Sequence, residues 1–295
     1  MPHEYGDIRS IRPARTSSGA RVRCGRSQSD SRHTVTTPLV FNLEARWQTL
    51  QPEDIAGHHC LFSEADCVVD SRNQRYDDWS GYPSMIEATL TALEGTVSRY
   101  IYVDNLYLYG SPAASVPIDE TVPRRPISIK GMIRHEIEAR LLKVMPMRSV
   151  TIARFPDFYH ISTDTLPKTL RWFGPPAQPH QFIHIPDAAK AIRLLIENED
   201  SAGHIWHVVG DNPVTGYQLL EIARAATGGA TRLRVISPVM VRLLGLGFAP
   251  ARGLVETLYL WTSPVILDAT KFRQRFGHQF IHAHQDVLRE LVGGK

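Results

Sequence analysis

The sequence predicts an α/β protein built on a doubly wound parallel sheet, followed by a smaller C-terminal lobe. Three observations carry this prediction. Short apolar runs alternate with amphipathic helices from about residue 65 onward. The 295 residues suffice for one large α/β domain, and a 43% hydrophobic, 21% charged composition is that of a globular protein. No apolar run approaches the length of a transmembrane helix.

The predicted elements follow one another in strand–helix order. Apolar runs predict strands at 65–71, 98–105, 149–155, 203–210 and 231–237. Helical spacing predicts helices at 83–95, 131–145, 187–199 and 215–229. The helix at 131–145 has the clearest apolar stripe, and the helix at 215–229 begins on a capping box of Thr215 and Gln218.

The N-terminal part of the chain differs from the rest. Seven arginines fall in the first 32 residues, and no continuous apolar run suits a central parallel strand. We therefore divide the chain into an irregular, Arg-rich segment (1–20), a core of the sheet (21–175), and a remainder (176–295) that completes the sheet and forms the C-terminal lobe. A first strand with a glycine turn is not recognisable.

Charge and cysteine content exclude several kinds of partner. A net charge of +3 is far from the basic surface of a nucleic-acid-binding protein. The three cysteines have no metal-ligand spacing, and their odd number indicates a reduced, cytoplasmic protein. His180 and His184 lie four residues apart but follow a Pro-rich loop, so we predict no metal. A small-molecule substrate remains, without nucleic acid or membrane as partners.

Three segments resemble a known family: "YIYVDNLYLYG", "TVPRRPISIKGMIRHEIEARLL" and "IARFPDFYH". With weaker segments from about residue 21 to 292, they resemble the NAD-dependent epimerase/dehydratase family of extended and atypical short-chain dehydrogenases. The resemblance implies a Rossmann-like sheet and a cleft in which a tyrosine, four residues before a lysine, exchanges a proton with the substrate. It also implies a glycine-rich turn for the pyrophosphate and a homodimer formed through the helices at 83–95 and 131–145.

The sequence departs from this family at each part of the redox apparatus. Pro126 stands four residues before Lys130, and proline has no proton to give. Asn105 stands where the resemblance implies a serine or threonine. The glycines of the first 60 residues lack the spacing of a pyrophosphate turn. These departures predict that hydride transfer is lost and that no cofactor is bound.

Polar and aromatic residues follow three successive predicted strands, whose carboxyl ends meet at one edge of the sheet. In a retained cleft, Asn105 would stabilise negative charge, and Tyr107 or Tyr159 with Asp157 would transfer protons. The candidate catalytic residues are Asn105, Tyr107, Lys130, Asp157 and Tyr159. The candidate substrate-binding residues are Tyr76, Trp79, Tyr109 and Arg154. If NADP were bound, Arg23, Arg26 and Lys130 would hold it.

These observations predict an enzyme of the isomerase, cyclase or lyase type that acts without hydride transfer on a small carbonyl-containing metabolite. Two alternatives stay open. One is an oxidoreductase or epimerase that uses NADP or NAD and has a displaced catalytic acid. The other is a non-catalytic protein that senses a metabolite or a dinucleotide.

Overall fold

The computed structural model describes residues 8–10, 50–111, 117–159, 163–247, 249–263 and 265–293, with backbone alone at 8–10 and 249–250. The strands in these ranges are β1 (Ile8–Ser10), β2 (Cys67–Asp70), β3 (Arg99–Asn105), β4 (Val150–Phe155), β5 (Asp157–Phe158), β6 (Thr169–Phe173), β7 (Pro179–His180), β8 (Phe182–Ile183), β9 (His204–His207), β10 (Val214–Thr215) and β11 (Arg232–Ile236).

The helices of the same ranges are α1 (Ile55–Ser63), α2 (Tyr82–Leu93), α3 (Ile129–Val144), α4 (Ile185–Glu197), α5 (Gly216–Thr227), α6 (Pro238–Gly245), α7 (Ala249–Val255), α8 (Tyr259–Thr262), α9 (Thr270–Phe276) and α10 (His284–Gly293). Short 3₁₀ turns lie at Tyr107–Tyr109 and Glu199–Ser201. None of the described helices is both long enough and apolar enough to cross a membrane.

A five-stranded sheet in the order β1-β2-β3-β4-β9 forms the centre of the molecule. The strands β2, β3, β4 and β9 are parallel to one another. All residues of β2 and of β4 are buried, as expected of parallel strands that are covered on both faces. The predicted Rossmann-like parallel sheet is confirmed.

Successive residues of the central strands point into two separate hydrophobic clusters. Tyr100 and Tyr102 of β3 belong to one cluster, whereas Ile101 between them belongs to the other. Alternate side chains of a strand leave opposite faces of the sheet. The sheet is therefore packed on both faces, and its polar site residues can reach solvent only at its ends.

The N-terminal edge of the sheet differs from the prediction. The sequence showed no strand before residue 21, yet β1 pairs with β2, and the pairing is antiparallel. A strand of three residues that includes Arg9 and Ser10 has no apolar run by which it could be recognised.

The C-terminal half adds small sheets beside the main one. The predicted strand at 231–237 is observed as β11, but it pairs in parallel with β6 and not with the main sheet. The predicted capping box of α5 is confirmed, since Thr215 and Gln218 bond reciprocally and Gly228 ends the helix at φ +67°. The prediction of reduced cysteines is wrong at Cys60, which is disulfide-bonded.

Candidate active site

Lys130 and Tyr76 form the centre of a buried polar cluster. Ser128 caps α3, and its side chain accepts a hydrogen bond from the backbone N–H of Gly131, which sets Lys130 in the first turn. Only 3% of Lys130 is exposed. Its Nζ donates to the carbonyl oxygen of Gly253 at 2.7 Å and lies 3.7 Å from the centroid of the Tyr76 ring. Burial lowers the pKa of Lys130 to about 8.

Three tyrosines converge at this place. The Tyr76 hydroxyl is 3.0 Å from the hydroxyl of Thr257 and accepts a hydrogen bond from the Tyr107 hydroxyl. Tyr259 donates to the backbone carbonyl of Tyr107 at 2.9 Å. Burial raises the pKa of Tyr76 to about 12. The Tyr76 hydroxyl therefore carries its proton at neutral pH and can act as an acid.

Asp157 and His180 form an acid–base pair beside the tyrosines. Asp157 lies two residues after the end of β4, at the carboxyl edge of the sheet, and its Oδ2 is 2.9 Å from Nε2 of His180. The imidazole stacks on the ring of Trp261 with centroids 4.0 Å apart and planes tilted by 10°. Burial is the main cause of the raised pKa values of Tyr76 and Tyr107, and the charge of Asp157 adds to it.

A cavity of about 380 Å³ lies next to the cluster. Ser128 and Tyr259 line it, and Tyr259 joins it to the cluster through its bond to Tyr107. Ile127 and Ile129 add apolar side chains to its lining, and Arg242 and Glu256 add charged ones. Small-molecule sites combine an apolar lining with a few polar groups in this way, in volumes of roughly 300–1,000 Å³.

Five of the residues singled out from the sequence meet in this cluster: Tyr76, Trp79, Tyr107, Lys130 and Asp157. The ring of Trp79 stacks on Tyr107 with centroids 6.0 Å apart, and it lies 5.7 Å from Nζ of Lys130. The indole N–H of Trp79 is buried and has no hydrogen-bond partner among the described residues.

Asn105 lies at the edge of the same cluster but has a local role in the backbone. Its Oδ1 accepts a hydrogen bond from the backbone N–H of Tyr107 at 3.1 Å, which sets the 3₁₀ turn after β3. The structure therefore gives Asn105 a part in positioning Tyr107, and its predicted stabilisation of negative charge stays a prediction.

Arg154 and Tyr109 lie in a different network. Arg154 is fully buried and binds Asp104 at 2.7 Å, Tyr109 at 2.7 Å and Glu138. The Tyr109 hydroxyl also bonds Nε2 of His207 at 2.6 Å. The polar groups of Arg154 and Tyr109, both predicted to bind substrate, are therefore bonded to other side chains of the protein. Through these bonds Arg154 joins β3 and β4 to α3.

Tyr159 also has partners of its own. Its hydroxyl bonds Nδ1 of His284, and its ring stacks on Phe182 at 5.1 Å. Tyr159 is 7% exposed, and burial raises its pKa well above the ordinary value. The structure thus does not bring it into the Tyr76 cluster. Arg23 and Arg26 lie outside the described residues.

Sequence reasoning missed three members of the cluster: His180, Thr257 and Tyr259. The sequence analysis considered His180 and His184 only as a possible metal site, because of their i, i+4 spacing. In the structure, Nε2 of His180 lies 2.9 Å from Oδ2 of Asp157. Thr257 is 181 residues from its partner Tyr76. Contacts across such separations leave no periodic signal in a single sequence.

No protein-family model matches this chain, and no curated protein matches it. Solved structures match its fold. A dTDP-glucose 4,6-dehydratase from Streptomyces venezuelae with NAD and TYD bound is 18% identical, with 82% of this chain and 76% of that chain covered and a TM-score of 0.62. RMD from Pseudomonas aeruginosa, complexed with NADPH, is 14% identical, with 83% and 87% covered and a TM-score of 0.64.

A third structure extends the comparison. UDP-N-acetylglucosamine 4-epimerase from Bacillus cereus is 12% identical, with 85% of this chain and 86% of that chain covered and a TM-score of 0.62. This chain therefore has the fold of the NAD-dependent epimerases and dehydratases among the extended short-chain dehydrogenases, as the resemblance predicted.

The comparison corrects the prediction that no cofactor is bound. Structures with this fold hold NAD or NADPH, which points to a nucleotide cofactor. Two of the described residues have polar groups that could bind such a cofactor. Nζ of Lys130 donates to one acceptor in the described ranges, the carbonyl oxygen of Gly253, and the buried indole N–H of Trp79 has no partner there. α7 covers Lys130 in this structure: Gly253 O accepts from Nζ at 2.7 Å and only 3% of Lys130 is exposed, so a cofactor would reach the ammonium after α7 moves.

Proposed function

We propose that this chain is an enzyme that binds a nicotinamide dinucleotide and acts on a small carbonyl-containing metabolite, with a displaced catalytic acid. The observation that carries the proposal is the pairing of Tyr76 with Lys130 in a buried cluster at the carboxyl edge of the sheet. Structures of the same fold with NAD or NADPH support the cofactor. The 380 Å³ cavity beside the cluster supports a substrate of modest size.

Tyr76 takes the place of the missing acid. Pro126 cannot donate a proton, whereas the Tyr76 hydroxyl carries one and can receive another from Tyr107 along their hydrogen bond. The ammonium of Lys130 over the ring favours the phenolate that remains after proton donation. This arrangement performs the part that the resemblance assigned to a tyrosine four residues before the lysine.

His180 acts as the base. An imidazole can accept a proton near neutral pH, and the carboxylate of Asp157 both orients the ring and stabilises the imidazolium that forms. Trp261 fixes the plane of the ring by stacking. Tyr76 as the acid and His180 as the base would provide the two proton transfers that chemistry next to a carbonyl requires.

The cofactor would be held by Lys130 and Trp79. When bound, the nicotinamide supplies the acceptance and return of a hydride. The residues of this chain orient the substrate, exclude water and move protons at Tyr76 and His180.

A second candidate function uses the same residues without hydride transfer. The observation that favours it is the cover of α7 and Gly253 over Lys130, which keeps a ribose from the ammonium in this conformation. In that case Tyr76, Asp157 and His180 would carry out an isomerisation, cyclisation or elimination by proton transfer alone. Asn105 and Tyr107 would support the charge that develops on the substrate oxygen.

Turnover in heavy water tests the proposed acid. dTDP-glucose and UDP-glucuronic acid, assayed with NAD, are suitable first substrates, because structures of this fold include enzymes for these compounds and oxidation of a sugar hydroxyl would form the carbonyl. We expect Tyr76→Phe to lower the rate about 100-fold or more, the usual effect of removing an acid or base, with the fold intact because the ring over Lys130 remains. Tyr217→Phe is the matched control, since Tyr217 is exposed.

The fate of label separates the two candidates. With NAD as the cofactor and a substrate deuterated at the carbon that is oxidised, deuterium that appears on the nicotinamide during turnover means hydride transfer. A nicotinamide that stays unlabelled, with hydrogen of the substrate exchanged only with the solvent, supports the second candidate. Equal rates for the wild type and Tyr76→Phe would contradict the role of Tyr76 in both. Nucleotide binding without any turnover would favour the non-catalytic sensor.

A further inference from the structure

His184, Asp187 and His282 converge at the start of α4. His184 is the residue before the helix, Asp187 lies in its first turn, and His282 belongs to the loop between α9 and α10. One potential ligand atom from each residue lies within 4.8 Å of the others. The two imidazole rings stand perpendicular, with centroids 5.8 Å apart. This cluster has no part in the proposed function.

His184 brings an unused ligand atom into the cluster. Its side chain is 7% exposed, and its Nδ1 has no hydrogen-bond partner among the described residues. Buried polar atoms are nearly always paired, so an orphan of this kind calls for a partner.

The carboxylate of Asp187 adds a buried negative charge. Asp187 is fully buried, and its oxygens accept from the backbone N–H of His282 at 2.9 Å and from Nδ1 of His282 at 2.5 Å. His282 is the one basic side chain that pairs with it in the described part of the chain. A bound cation would compensate this buried negative charge.

We propose that His184, Asp187 and His282 bind one Zn²⁺ ion. Two imidazole nitrogens and a carboxylate oxygen are a ligand set that zinc prefers, whereas magnesium and calcium prefer oxygen ligands alone. Water can complete the coordination, since Zn²⁺ takes four ligands. Oε1 of Glu290 lies 3.7 Å from Nε2 of His184, the ring nitrogen opposite the unpartnered Nδ1, where it can orient the imidazole.

The rearrangement that zinc requires is small. Bonds of about 2.0–2.1 Å in a tetrahedral site hold the ligand atoms roughly 3.4 Å apart. The 2.5 Å contact between Asp187 and His282 would lengthen, and the widest separation of 4.8 Å would shorten. His282 can make both adjustments, since 38% of its side chain is exposed. The ion would join the start of α4 to the segment before α10, which is a structural role.

Metal content of the full-length protein tests the site. The chain is treated with a chelator, incubated with excess zinc, freed of unbound metal, and analysed for zinc, with affinity measured against a competing chelator. We expect one zinc per chain, and a loss of affinity of about 100-fold or more in His282→Gln and in His184→Gln, because each removes a direct ligand. Replacement by cobalt should give the visible absorption of a four-coordinate ion, which both variants lose.

His278→Gln is the matched control, because His278 is an exposed histidine in the same loop between α9 and α10. It should bind zinc like the wild type. The half-exposed His282 keeps the test decisive even if His184→Gln fails to fold. A wild type that binds no zinc, or zinc that His282→Gln and His278→Gln retain alike, would overturn the proposal.

Discussion

Lys130 places an ammonium group in a site that is almost closed to water. It is 3% exposed, and its contacts are a carbonyl oxygen and the faces of two aromatic rings. These groups replace hydration only in part, so burial lowers the pKa of Lys130 to about 8. A lysine of this kind can give up its proton within the range of pH in which enzymes work.

The lowered pKa has a consequence for stability. Between about pH 8 and pH 10 the unfolded lysine keeps its proton while the folded one loses it, so the unfolded state binds more protons and the free energy of unfolding rises with pH. From pH 8 to pH 9.5 we expect a rise of about 1.5 kcal/mol from this residue.

Urea unfolding across this range measures the effect. The informative quantity is the difference between the wild type and Lys130→Met, because other groups titrate equally in both. The free energy of unfolding of the wild type minus that of Lys130→Met should rise by about 1.5 kcal/mol from pH 8 to pH 9.5. A difference that stays constant would mean that Lys130 keeps its ordinary pKa in the folded protein.

At the level of single residues, the sequence indicated the polar and aromatic side chains of the site. It did not indicate which of them join the network around Tyr76 and which join the network around Arg154. Tyr107 and Tyr109 are two residues apart in one 3₁₀ turn. Tyr107 joins Tyr76, whereas Tyr109 joins Arg154 and His207. The direction of each side chain depends on the turn after β3, and a local pattern of alternating residues does not specify that turn.

Glu138 and Arg154 join three elements of the sheet and its covering layer. Arg154 on β4 binds Asp104 on β3 and Glu138 on α3, and Glu138 also accepts from Arg124 at 2.7 Å. All four side chains are largely buried. Removing one partner of a buried ion pair leaves the other charge without compensation.

We expect Glu138→Gln to lower the free energy of unfolding by about 3 kcal/mol or more. Glu136→Gln is the control on the same helix: Glu136 is half exposed and pairs only with Arg140 among the described residues, so it should change stability by less than about 0.5 kcal/mol. Chemical denaturation compares them, and equal effects would show that the network contributes little.

Elements with a continuous apolar core were predicted well from the sequence. The strands β2, β3, β4 and β9 and the helices α2 to α5 lie within a few residues of the predicted positions. Elements of two or three residues, such as β1, β5 and β8, were not foreseen. Their pairing depends on tertiary contacts, and so few residues carry no hydrophobic period.

At the scale of the whole molecule, we propose that two copies pair through α2 and α3. These helices pack side by side and are joined by the ion pair of Arg140 with Glu87. The outer face of α3 exposes Met132 at 53% and Leu142 at 42%. Large apolar side chains that face solvent on one helix favour association.

Light scattering during gel filtration tests the pairing. The wild type should have twice the mass of one chain, and the double variant Met132→Glu with Leu142→Glu should have the mass of one. Val97→Glu is the control, because Val97 is 94% exposed but lies outside both helices. A wild type with the mass of one chain at every concentration would contradict the proposal.

The central claim is that a nicotinamide dinucleotide binds beside Lys130. Calorimetric titration of NADPH and NADH into the full-length protein tests it most directly, with Lys130→Met compared to Lys143→Met, an exposed lysine at the other end of α3. We predict binding of one nucleotide in the micromolar range, weakened about tenfold or more by Lys130→Met and unchanged by Lys143→Met. Absence of binding at millimolar nucleotide, or equal binding by both variants, would contradict the claim.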